Sequence, residues 1–119
     1  MRREVLDVLD GVDALICPTN LHPPGLIEAG KETVDSEEAM EKKVLLRRIS
    51  TYPFSMANIP ALALPMGFTK SGLPLSLQVA AKPFAEATVF SIAHAYEQSA
   101  AWHTRHPNLE NLASGAKTS

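Results

Sequence analysis

The chain has 119 residues, 45% hydrophobic and 20% charged, which fits one globular domain and excludes a disordered one. Its formal net charge of −2 excludes a strongly basic nucleic-acid binder and a binder of anionic membranes. A single cysteine, Cys17, excludes an internal disulfide and a zinc framework. No apolar run approaches the ~20 residues needed to cross a bilayer. The opening MRREVLDVLDGVD has no apolar core of signal-peptide length, so the chain reads as soluble and cytoplasmic.

Val5, Leu6, Leu9 and Val12 recur at helical spacing and predict a first helix over 3–11. No capping residue precedes it, as if the chain entered the helix part-way. Ala14 to Cys17 is apolar on both faces and predicts a buried strand, as in the middle of a larger sheet. The stretch 18–34 is rich in Pro and Gly and reads as a long loop, a kind that tends to be functional.

A second helix is expected over 36–50, with Asp35 as N-cap and Glu38 completing a capping box. Glu37, Glu38 and Glu41 lie early; Lys42, Lys43, Arg47 and Arg48 lie late, matching the helix dipole. Met40, Val44 and Ile49 give it a thin apolar stripe, and the charges read as a solvated face. Residues 51–60 read as a loop leading into a strand at Ala61 to Pro65.

Lys70-Ser71-Gly72 turns the chain, with Gly72 free to take positive φ. The return alternates Leu73, Leu75, Leu77 and Val79 against Ser76, Gln78 and Ala80, so 61–81 is expected to be a β-hairpin. The last helix, 85–101, gathers Val89, Ile92, Ala93, Tyr96 and Ala100 on one face. The predicted order is α-β-α-β-β-α, an α/β arrangement whose small sheet leaves edges that need covering.

Chemistry is sparse in these residues. His103 and His106 are three apart near a helix end without an evident third ligand, and His94 lies off the apolar stripe. Cys17 could be a nucleophile, but it closes an apolar strand and reads as a small hydrophobe. The glycines form no phosphate-binding loop, and Trp102 reads as packing at the last helix end. No metal site, cofactor or catalytic residue is assigned.

Three ordered blocks carry more information: DALICPT (13–19), TYPFSMANIPALALPMGF (51–68) and GLPLSLQVAAKPFAEATVFSIAHAYEQSAAWH (72–103). Together they resemble the C-terminal segment of the amidase signature family. The third block, with Gly72-Leu73-Pro74, Leu77-Gln78, Pro83-Phe84, Glu86 and Ala93-x-Ala95-x-Glu97, is the most specific. It is also similar to the glutaminase subunit of tRNA-dependent amidotransferases; the second block fits general amidases better.

The resemblance implies the C-terminal portion of a mixed, helix-covered sheet over 1–107, with 108–119 as a flexible tail. It implies hydrolysis of carboxamides by a serine activated through a second serine and a lysine, with backbone N–H groups holding the oxyanion. That centre belongs to a Lys and a Gly/Ser-rich stretch that this sequence does not contain, and Lys70-Ser71 does not match it. The matched part implies sheet strands and one wall of the acyl pocket, with Thr19, Phe54, Ser55 and Asn58 as lining candidates. The sequence departs from the family where Asn often stands near Ser55, and Gly near Asn58 and at Ser76.

The expected function is therefore that of a C-terminal fragment of an amidase-type hydrolase, inactive by itself. Its partner would be a small-molecule amide, with no membrane or direct nucleic-acid partner. The alternatives are part of a glutaminase subunit, or a non-catalytic assembly module that self-associates or meets a partner chain through its sheet edges.

Overall fold

The computed structural model describes residues 1–25 and 36–107. Helix α1, Arg2–Asp10, precedes strand β1, Ala14–Pro18. Helices α2, Glu37–Arg48, and α3, Tyr52–Ala57, follow. Strands β2, Ala61–Phe68, and β3, Pro74–Ala81, form the hairpin, and α4, Glu86–Ala100, runs into a 3-10 turn at Trp102–Thr104. The expected order holds, with one added helix at 52–57. The tail at 108–119 and the Asp35 cap lie outside the described residues.

The three strands form one antiparallel sheet in the order β1-β3-β2. The register sets Leu62 and Ile16 on either side of Val79, and Ala63 and Cys17 on either side of Gln78. Side chains alternate across a strand. Leu64, Val79 and Ala81 therefore share the face on which Val89 and Ala93 of α4 close a buried cluster. Leu62, Leu77, Ile92 and Tyr96 pack around it. Each large apolar side chain fully buried this way contributes about 1.5–3 kcal/mol. The α4 stripe read from the sequence is the one that faces the sheet.

The hairpin turn is held by Thr69 N–H donating to the Leu73 carbonyl at 2.8 Å, and Gly72 takes φ 82. The Thr69 hydroxyl adds a bond from Leu73 N–H. A bulge between Pro65 and Gly67 interrupts the ladder, and Gly67 takes φ 138. Trp102 Cζ2 lies 3.8 Å from where a Cβ on Gly67 would stand. The Trp102 ring meets Phe68 edge-on, with centroids 6.2 Å apart, and the Arg105 guanidinium lies 5.0 Å from the Trp102 ring.

Three expectations change. Ser36 caps α2, its hydroxyl accepting from Ala39 N–H at 3.2 Å, so the helix begins at Glu37. The segment expected as a loop at 51–60 contains α3. Pro53 stands in its first turn, where a missing N–H costs nothing, and Asn58 ends it in the left-handed conformation at φ 53.

The strand β1, expected in a sheet interior, is an edge among the described residues, and its Ile16 is 62% exposed. Ile16 shares the α4 face by register, but α4 lies over β2 and β3 and stops short of it. Among the described residues no helix is long and apolar enough to cross a membrane.

Candidate functional site

Two segments carry the four pocket candidates. The first is the end of β1. Thr19 continues its ladder, donating its N–H to the Ser76 carbonyl at 2.9 Å. The second is α3, which α1 packs against, burying Leu9, Phe54 and Ala57. The Arg2 guanidinium also donates to the Ala57 carbonyl at the end of α3.

The α2–α3 junction joins these segments. Ser50 Oγ donates to the Thr19 carbonyl at 2.6 Å. Gln78, at the centre of β3, donates from Nε2 to the Ser50 carbonyl at 2.6 Å. The same nitrogen lies 3.3 Å from Cys17 Sγ and 3.4 Å from the Pro18 carbonyl. Gln78 is only 4% exposed, and a buried amide without partners would cost roughly 1–3 kcal/mol. These acceptors remove that cost and tie β3, the end of β1 and the start of α3 together.

The candidates fare differently. The Thr19 hydroxyl is covered by surrounding protein and has no hydrogen-bond partner among the described residues, an unsatisfied buried polar atom. Phe54 is 8% exposed and is occupied in packing. Ser55 and Asn58 are exposed, Ser55 within α3 and Asn58 at its left-handed end. Thr19 is thus brought to the entry of α3 through Ser50, while Phe54 turns into the core.

Ser50 and Gln78 are not among the candidates that the sequence suggests. By alternation Gln78 is one member of a polar strand face. A signal exists all the same: its neighbours on that face, Cys17, Ala63, Ser76 and Ala80, are all small, so a long carboxamide among them must reach beyond the strand for a partner.

Neither the hydroxyl nor the thiol at the junction meets a base. Ser50 Oγ donates to a carbonyl, and Cys17 Sγ accepts from the Gln78 amide. Lys70 and Ser71 lie in the hairpin turn. His103 Nδ1 sits 3.7 Å from Glu97, both partly exposed. Among the described residues no three His, Cys, Asp or Glu side chains gather as metal ligands.

A family model described as Amidase matches residues 1–90. A glutamyl-tRNA(Gln) amidotransferase subunit of Cyanothece sp. is 41% identical over 98 residues, covering 82% of this chain and 19% of that relative. The crystal structure of the corresponding glutamyl-tRNA(Gln) amidotransferase subunit from Thermotoga maritima superposes with a TM-score of 0.68 at 32% identity, over 82% of this chain and 20% of that one. A 6-aminohexanoate cyclic dimer hydrolase superposes with a TM-score of 0.73 at 23% identity, covering 91% of this chain and 24% of that one, a likeness of fold. The chain spans about a fifth of the length of the curated relatives it matches.

Proposed function

Because the chain belongs to the amidase family, we propose that it supplies the C-terminal strands and one wall of the acyl pocket of a carboxamide hydrolase. The complete machine would hydrolyse the C–N bond through an acyl-serine, with the Ser-Ser-Lys centre contributed by protein outside these residues. The observation that carries this reading is the Ser50 bridge. It holds the segment after DALICP against the start of α3, so that two separate family blocks meet at one place. Thr19 is held at that joint through its N–H and its carbonyl, its own hydroxyl being buried rather than open to a ligand. Ser55 and Asn58, exposed on α3, would line the same wall.

The surface fits a part that is covered by further protein. Val44, Leu45, Leu46 and Ile49 are exposed on α2, and Phe84 is 94% exposed at φ 62, a strained setting for an aromatic residue. Among the described residues the outer edge of β1 is unpaired and carries no charge and no bulge, so up to Pro18, which has no N–H, it can accept another strand, from the rest of an amidase fold or from a partner chain.

A second reading, favoured by the relatives that are glutamyl-tRNA(Gln) amidotransferase subunits, makes glutamine the amide. A chimera tests both readings. Residues 1–107 replace the matching segment of the Thermotoga maritima protein, and ammonia release from glutamine and from aliphatic amides is measured. The expected result is retained hydrolysis whose KM rises with Ser55→Ala or Asn58→Ala. A folded chimera that hydrolyses no amide, or whose KM ignores both substitutions, contradicts the proposal.

A further inference from the structure

We propose that Gln78 is a positioning residue whose carboxamide sets the spacing between the two segments of the candidate pocket wall, and that its hydrogen bonds rather than its bulk do this. The inference rests on the pocket-wall reading for its functional meaning.

A carboxamide nitrogen carries two protons. The short 2.6 Å bond to the Ser50 carbonyl takes one. The other lies between Cys17 Sγ at 3.3 Å and the Pro18 carbonyl at 3.4 Å, so it is shared. A single planar group therefore fixes the α2–α3 junction on one side and the last residues of β1 on the other. Ser50 closes the loop of contacts by donating from Oγ to the Thr19 carbonyl at 2.6 Å. Thr19 and the entry to α3 are thus referred to one point on the central strand of the sheet.

The central strand is the right place for such a pin. Strand β3 is paired on both sides, Gln78 to Cys17 and to Ala63, so its backbone cannot shift without breaking two ladders. The flanking residue Ala63 is small, and Gln78 is buried, so water does not compete for the amide. An apolar residue of the same length would fill the space but would hold neither Ser50 nor Pro18. A glutamate would place an acceptor against the Ser50 carbonyl and repel it.

The first test uses the unsubstituted chain labelled with nitrogen-15. The two Nε2 protons of Gln78 should give separate signals that exchange with water at least about tenfold more slowly than those of exposed Gln98, as a protected hydrogen bond requires. The second test is Gln78→Met, which keeps length and removes both donors. Exchange of the Thr19 N–H should speed up by about tenfold and the Ser50 carbonyl carbon should shift, while the amides of α4 stay as they were.

Fast-exchanging Gln78 amide protons would overturn the proposal, and this holds even if the substituted chain fails to fold. Unchanged exchange at Thr19 with an unchanged Ser50 carbonyl in a folded Gln78→Met chain would overturn it too, since packing alone would then suffice. These readouts concern the chain itself, so they stand or fall separately from the chimera that tests amide hydrolysis.

Discussion

Phe68→Ala probes how the last turn is fastened to the hairpin, and the sole tryptophan reports on it. Phe68 offers its ring to Trp102 at 6.2 Å and 66° and lies 5.9 Å from the Arg105 guanidinium. An edge-to-face aromatic pair contributes about 0.5–1.5 kcal/mol, and an exposed cation–π contact about 0.5–1 kcal/mol. Phe68 is already 38% exposed, so its loss falls short of the ~3–5 kcal/mol of a core Phe deletion. The expected cost is about 1–2 kcal/mol, which raises the open population of the turn roughly five- to thirty-fold. Acrylamide quenching of Trp102 should increase accordingly and its emission should move to the red. A wild-type Trp102 that already emits as in water, or a variant with unchanged quenching, would refute the argument that this contact holds the turn.

Other outcomes follow from single positions. Asn58→Ala forces a side chain other than Asn or Gly into the left-handed end of α3 and should cost roughly 1 kcal/mol, whereas Asn58→Gly should be close to neutral; exchange of the Ile59 N–H, which donates to Phe54, reads the difference. Ser36→Ala removes the α2 cap and should cost about 1 kcal/mol, seen as lost helical circular dichroism. Gly72→Ala should loosen the hairpin turn by about 1 kcal/mol because φ 82 disfavours a Cβ, even though nothing crowds the position; exchange of the Thr69 N–H reports it. Thr19→Val should leave the fold intact or slightly firmer, since it removes a buried hydroxyl that has no partner.

Much of this architecture is written in periodicity. The stripe Val89, Ile92, Ala93 and Tyr96 can face only one way, and the alternation of Leu62 and Leu64 against Ala61 and Ala63 decides which side of β2 meets α4. The turn at Gly72 needs a residue tolerant of positive φ. What is not legible depends on tertiary context. Helix α3 is six residues long, too short for a period to show, although Pro53 near its start and Asn58 at its end mark it locally. The edge position of β1 cannot be read from a run that is apolar on both faces.

The candidate site is legible only in part. The ordered blocks locate the two segments, but their joining depends on Ser50 and Gln78, one at the last position of an expected helix and one on a strand face that looks merely polar. Phe54, a lining candidate by sequence, is drawn into the core where α1 meets α3. Single-sequence patterns record which face a side chain takes along its own element. They do not record which partner from another element waits there.

The most direct test of the central claim, that these residues supply a wall to an amide-hydrolysing site whose catalytic groups lie elsewhere, is ammonia release by the purified chain from glutamine and simple aliphatic and aryl amides. Ser55→Ala and Cys17→Ala variants run beside it. The account predicts no release above buffer from any of the three. Release by the unsubstituted chain that either substitution abolishes would place a working nucleophile within these residues and contradict the account.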